Sequence, residues 1–178
     1  MNKINEIFFR SKEKDPKKIE IEGNLKKLGI TKNYIINDDL TVDLKKDISI
    51  NIKNIKECPV NFGTANGNFI WHYGYLTTMK NLPKVVMGTL SVAYNKITSL
   101  EESQTTTVKG SFVCSGNKLK NLKGSPKKCG SFMAIKCELE SLEGAPDEVD
   151  MDFQVSYNKL KSLKGSPSKV GKLYDCRC

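Results

Sequence analysis

Three stretches decide the fold: Phe112–Leu122 reads FVCSGNKLKNL, Phe132–Leu142 reads FMAIKCELESL and Phe153–Leu163 reads FQVSYNKLKSL. Set under one another they share one phrase: apolar, free, apolar, free, free, Asn or Cys, free, Leu, free, free, Leu. Earlier stretches keep the register more loosely. Leu90, Val92, Asn95, Ile97 and Leu100 fit cleanly; Phe69, Trp71, Gly74, Leu76 and Met79 fit with Gly in the Asn position; Ile48, Ile50, Lys53, Ile55 and Cys58 fit with Lys there. A truncated last copy is expected to begin at Leu173, with Cys178 in its Asn position. The first positions fall at residues 48, 69, 90, 112, 132, 153 and 173, so the period is 20 to 22 residues. A period this short implies a solenoid, because one such unit hides its apolar face only by stacking on its neighbours.

Alternation of apolar and free residues at the first four positions is the period-two signature of a half-buried strand. An Asn just after the strand can hydrogen-bond the backbone of its own and the adjacent turn, satisfying amides and carbonyls otherwise buried unpaired. Cys137 in that position packs as a small hydrophobe. The two following Leu positions roof the core. Gly124-Ser125-Pro126, Gly144-Ala145-Pro146 and Gly165-Ser166-Pro167 then turn the chain back, and the prolines keep the return segment from becoming helix.

The phrase resembles the leucine-rich repeat, whose core reads L-x-L-x-x-[N/C]-x-L-x-x-L, over about the last three-quarters of the chain. The short period and the Gly-Pro endings look like the bacterial and bacteriophage variety. The resemblance implies an α/β-type repeat solenoid with one short parallel strand per turn and little regular helix in the repeats. It also implies a protein-binding scaffold whose free strand positions line a concave face. A phage or bacterial accessory protein that inhibits a host enzyme or defence component, acting in the cytoplasm (the host's, if viral), is the role it suggests.

Residues 1–44 lie outside the repeat and are expected to cap it, leaving 45–178 as about six full repeats plus the truncated one. Asp15-Pro16 is a helix start and Gly29 a plausible stop. Ile30 to Leu44 reads as extended, with Tyr34, Ile35 and Ile36 before the turn Asn37-Asp38-Asp39 and the strand-like Leu40, Val42 and Leu44 after it. Met1–Lys14 is the alternative, a separate partner-binding segment.

The chain has 178 residues, is 38% hydrophobic and carries a formal net charge of +9, enough for one elongated core and basic enough to raise a nucleic-acid reading. No apolar run nears the roughly 20 residues of a membrane span. The first 18 residues hold no signal-peptide core, so a cytosolic chain with reduced cysteines is expected. In register, Lys118, Lys120 and Lys123 lie one turn from Glu138, Glu140 and Glu143, and these one turn from Lys159, Lys161 and Lys164. Lys127 and Lys128 likewise face Asp147 and Glu148. Such plus-minus-plus rows are expected to pair across turns, whereas a phosphate-tracking stripe would be continuous. The competing nucleic-acid reading would use Lys rows or the N-terminal Lys3, Arg10, Lys12, Lys14, Lys17 and Lys18. A third reading is self-assembly through the last strand edge.

Of the cysteines, Cys58, Cys114, Cys129 and Cys137 are expected in packing positions and Cys176 exposed; no zinc spacing is present, and neither metal nor cofactor is expected. His72 has no nucleophile in its row and no Gly-rich phosphate loop occurs, so no enzymatic constellation is visible. What remains is the strand face. Its expected members are Ile70, His72, Tyr73, Tyr94, Val113, Met133, Ile135, Lys136, Gln154, Tyr157, Tyr174 and Arg177, an aromatic and apolar set suited to a protein partner, with Tyr73 and Tyr94 as neighbours at its centre.

Overall fold

A computed structural model describes residues 15–176. The Met1–Lys14 segment, Arg177 and Cys178 lie outside them. Helix α1 spans Pro16–Lys27, started by Asp15, whose carboxylate accepts the Lys17 amide at 2.9 Å, and by Pro16 in the first turn. It ends at Gly29, at φ +77°, where the Gly29 amide donates to Lys26 and the Ile30 amide to Leu25, closing the last carbonyls. Leu25, Leu28 and Ile30 are buried, and the Asn24 amide reaches the Pro59 carbonyl at 3.4 Å, so the helix lies on the first turn. Strands β1 (Tyr34–Ile36) and β2 (Val42–Leu44) form the antiparallel hairpin.

From there the chain is a parallel β-solenoid. Each turn adds one strand to a seven-stranded sheet, in spatial order: β3 (Ile48–Ile50), β5 (Phe69–Trp71), β7 (Leu90–Ser91), β9 (Ser111–Val113), β11 (Ser131–Met133), β13 (Phe153–Gln154) and β15 (Tyr174–Asp175). The register places like on like: Ile48 by Phe69, Phe69 by Leu90, Leu90 by Phe112, Phe112 by Phe132 and Phe132 by Phe153. Rings stack accordingly, Phe112 on Phe132 and Phe132 on Phe153, each at 5.5 Å between centroids.

A second ladder runs alongside, which the repeat phrase does not announce. Strands β4 (Phe62–Ala65), β6 (Val85–Val86) and β8 (Thr107–Val108) continue parallel from β2, and β10 (Lys128–Cys129), β12 (Glu148–Val149) and β14 (Lys169–Val170) form a separate three-stranded sheet. Its buried row is Ala65, Val86, Val108, Cys129 and Val149. Strand β2 therefore pairs with β4 on one side while β1 covers its other edge, the protection that an exposed row of amides requires. Regular helix is confined, among the described residues, to α1.

Between the ladders the Asn positions close the backbone. The Asn117 side-chain amide donates to the Val92 and Cys114 carbonyls at 3.0 and 2.8 Å, and its oxygen accepts the Ile97 amide at 3.0 Å. Asn95 and Asn158 repeat the arrangement, each reaching one turn back and within its own turn. The Cys137 thiol keeps only the donor half, 3.2 Å from the Cys114 carbonyl. Gly74 is explained by its neighbours: a Cβ there would lie 2.5 Å from Asn95 Oδ1 and 3.0 Å from Trp71 Nε1, and the Trp71 indole itself donates back to Ile52, at 3.4 Å. Gly124 turns at φ +91° where a Cβ would come within 2.0 Å of the Leu100 carbonyl oxygen, so this turn admits no side chain. Among the described residues, no buried side-chain N or O is left without a partner.

The last copy starts one residue later than the phrase suggests. Tyr174, not Leu173, pairs with Phe153; the two rings pack at 5.2 Å and the Tyr174 hydroxyl lies 2.7 Å from Ser166 Oγ. Leu173 is left exposed. A one-residue slip exchanges the two faces of a strand, so Tyr174 is an inward residue rather than a strand-face contact. Cys176 correspondingly packs, half-buried, against the core instead of standing exposed. A ring that extends the Phe stack and finds a hydroxyl partner outweighs the Leu that matches the consensus letter. The other four cysteines are buried as expected, and burial pushes the Cys58 and Cys129 thiols up to about 12.

Candidate functional site

In five consecutive turns the residue just before the Asn position has a left-handed backbone: Tyr73 (φ 52°), Tyr94 (56°), Gly116 (71°), Lys136 (54°) and Tyr157 (56°). For a residue with a side chain that conformation costs about 1–2 kcal/mol. Rungs between turns hold it in place: the amides of Tyr73, Tyr94, Gly116 and Lys136 donate to the carbonyls of Ala93, Ser115, Ile135 and Ser156 in the following turn, at 2.8 to 3.2 Å. The bend throws these side chains outward at the end of each strand. Tyr73, Tyr94 and Tyr157 are 63, 50 and 59% exposed, which makes them a surface feature rather than core.

The side chains form a ladder. Tyr73 and Tyr94 stack with 5.0 Å between centroids and 4° between planes. The Tyr94 ring lies over Gly116, where a Cβ would approach Cδ1 to 2.5 Å. One turn on, the Lys136 ammonium sits 5.5 Å from the centre of the Tyr157 ring, within cation–π range. Beside the ladder, Ile70, Val113, Met133, Ile135 and Gln154 are half-buried on the same sheet face. Of the twelve expected face residues, the structure thus brings together ten; Tyr174 turns inward and Arg177 lies outside the described residues.

His72 makes a contact that row-by-row reasoning missed. Its Nε2 shares a hydrogen bond of 2.5 Å with the Ser91 hydroxyl, a residue two places earlier in the next turn's register, and its ring packs edge-on to Tyr73 at 6.0 Å. Ser91 is buried. Burial holds the imidazole below its ordinary pKa, and no carboxylate contributes to that shift. A hydroxyl beside a histidine with no orienting acid lacks the third member that activates a nucleophile. The shift has a consequence for stability. Because the unfolded chain protonates near 6.5 and the folded histidine only at lower pH, stability is expected to be lost as pH falls from above 6.5 through the folded value. Titrating the His72 ring protons by NMR, alongside unfolding midpoints across pH 5 to 8, checks this; a folded value at or above 6.5 contradicts it.

The outer lysines follow the charge rows in part: among the described residues Lys118, Lys161 and Lys164 do not pair with the acids of the adjacent turn, while the others do. Lys120 bridges Glu138 and Glu140, Lys123 meets Glu143, Lys127 meets Asp147, Lys128 bridges Glu148 and Asp150, and Lys159 returns to Glu138, all between 3.0 and 3.8 Å. The paired acids hold the Lys120 and Lys128 ammonium groups above their ordinary range, and those lysines hold Glu138 and Glu148 below theirs. These exposed pairs add little stability, but they engage the charges a phosphate backbone would need. Among the described residues, no group of three or more His, Cys, Asp or Glu is placed to hold a metal, and no helix is long and apolar enough to cross a membrane. Set against protein-family models, curated proteins and solved structures, the chain matches none of them, so the reading of its surface rests on its own residues and geometry.

Proposed function

We propose that this chain is a protein-binding module, a solenoid of the leucine-rich-repeat kind that engages its partner through the tyrosine ladder and the adjoining strand face. The observation that carries this reading is the pair Tyr73 and Tyr94: stacked, at least half exposed, and held in a backbone conformation that favours glycine. The left-handed angle itself belongs to the repeat; what points to function is that three of its five positions hold an exposed tyrosine where glycine would cost less. Stacked tyrosines offer a large, rigid contact area at little entropy cost, which is why they dominate interface energetics. The half-buried Ile70, Val113, Met133 and Ile135 continue that area across the face.

Inhibition of a host enzyme or defence component by an accessory protein of a phage or bacterium belongs to the same proposal; its support is the likeness of the repeat phrase to those short repeats. The test is affinity capture from the source cell with the native chain and with Tyr73→Ala plus Tyr94→Ala. Each truncation is expected to weaken a captured complex by about 2 kcal/mol, roughly 30-fold. Both side chains are exposed, so the doubly substituted chain keeps its fold, which circular dichroism verifies. Full-yield capture of every partner by that variant removes the strand face from consideration.

A further inference from the structure

The orientation of the rings says what kind of protein segment the ladder accepts. Face meets face along the stack: Tyr73 on Tyr94, Tyr94 over Gly116, the Lys136 ammonium on Tyr157. Between those turns the ladder therefore presents ring edge and phenol hydroxyl to solvent. Among the described residues no hydrogen bond takes up the hydroxyl of Tyr73, Tyr94 or Tyr157, while that of Tyr174 is bound to Ser166. Ring edges carry the positive part of the aromatic quadrupole, and a phenol hydroxyl donates a hydrogen bond.

The row one place past the Asn position runs Lys96, Lys118, Glu138 and Lys159, and its one acid, Glu138, is already engaged by Lys120 and Lys159. Lys96 and Lys118, one place past the Asn position in the turns of Tyr94 and Gly116, are exposed, and no carboxylate of the described residues lies within 4.0 Å of them or of Lys136. The outer rows differ in this respect, since Lys120, Lys123, Lys127 and Lys128 are matched by acids there. From Ser49 to Tyr157 the second, fourth and fifth positions of the turns hold no Asp or Glu; carboxylates on this side include Asp152, in the row of Ser111 and Ser131, whose Oδ1 accepts the Leu173 amide, and Asp175 in the last turn.

We infer that the ladder binds an extended, acidic segment of a protein partner, with carboxylates meeting the tyrosine hydroxyls and Lys96, Lys118 and Lys136, and apolar side chains lying on Ile70, Val113, Met133 and Ile135. The inference rests on the protein-binding reading and adds the chemistry of the partner. A single-stranded nucleic acid fits less well, because base stacking needs free ring faces and the apolar row has nothing to meet on a phosphate backbone.

Equilibrium binding of the full chain to three fluorescent probes tests this: a random glutamate–tyrosine copolymer, a lysine–tyrosine copolymer and an oligothymidylate. The glutamate copolymer is expected to bind about tenfold or more tightly than either of the others. Because a chain of this net charge attracts any polyanion, the deciding variant is charge-neutral: Tyr73→Ala with Tyr94→Ala should weaken the glutamate copolymer by about tenfold or more. Lys96→Glu with Lys118→Glu should abolish the preference over the lysine copolymer. The inference is overturned if no probe binds, if the lysine copolymer binds as well as the glutamate one, if the tyrosine substitutions leave the glutamate copolymer untouched, or if the oligothymidylate binds more tightly in a tyrosine-dependent way. Loss of captured partner by the tyrosine variant together with any of these results would keep the face as an interface and discard its acidic preference. Unchanged capture would discard the interface itself.

Discussion

Replacing Phe132 by alanine is expected to cost this protein about 4 kcal/mol or more. Phe132 is fully buried and is the middle ring of the stack, 5.5 Å from both Phe112 and Phe153. Truncating a buried Phe costs about 3–5 kcal/mol through lost transfer and an unfilled cavity. Each aromatic contact adds about 0.5–1.5 kcal/mol beyond burial, and here two are lost together. The cavity has little chance to collapse, because the rungs on either side fix the spacing of the turns. A domain of this size has about 5–15 kcal/mol in all, so the loss is a large part of the total. In a solenoid each turn touches only its neighbours, and the substitution falls at the joint between the turns of Phe112 and Phe153. Denaturant unfolding is therefore expected to show a lower midpoint, and a reduced slope if the two sides of the joint uncouple. A loss under about 2 kcal/mol would mean that the ring stack is not what binds successive turns.

The second large effect is polar. In Asn117→Ala the Ile97 amide loses its acceptor, and the Val92 and Cys114 carbonyls each lose one of two donors, keeping the Asn95 amide and the Cys137 thiol. An orphaned buried donor costs about 1–3 kcal/mol, and two carbonyls lose a bond besides, so the expected loss is about 2 kcal/mol although the side chain removed is small and polar. The reverse change is informative at position 137. There the thiol donates to the Cys114 carbonyl but brings no acceptor, whereas Asn158 accepts from both Cys137 and Leu139. Cys137→Asn supplies that acceptor to the amides one turn back and is expected to raise stability by about 1 kcal/mol. Thermal and chemical unfolding of the two variants side by side gives both signs. Destabilisation by Cys137→Asn would show that this turn has closed around sulfur and has no room for an amide.

How much of this could be read in advance follows the range of the forces involved. The helix from Pro16 to Lys27 was legible because its Asp-Pro start and Gly29 stop are local signals acting through the backbone of a few residues. The rows of Phe112, Phe132 and Phe153 were legible because a side chain's direction in a strand follows from counting by two. The lysine rows paired in part as counting implies: Lys120, Lys123, Lys127 and Lys128 meet the acids one turn on, whereas among the described residues Lys118, Lys161 and Lys164 do not. Counting failed where a residue's fate depends on what it meets. Tyr174 and Leu173 are both apolar enough to start the last strand, and ring stacking with the Ser166 hydrogen bond selects Tyr174. His72 shares its row with Ala93, yet its side chain is long enough to reach diagonally to Ser91. The slot shared by Cys129, Val149 and Val170 was legible from the repeat, but its strand character was hidden because two-residue strands such as Val85–Val86 leave no alternation to detect.

The tyrosine ladder divides along the same line. From the sequence alone come the period, the inward rows, the Asn positions and the adjacency of Tyr73 and Tyr94, all consequences of alternation and of a fixed step from turn to turn. Only the tertiary structure decides that the position of those tyrosines is left-handed and that their rings stack and present edges and hydroxyls to solvent. The physical reason is that a backbone angle which costs energy in isolation is set by rungs to the next turn, and no residue's own preferences record that cost or its compensation.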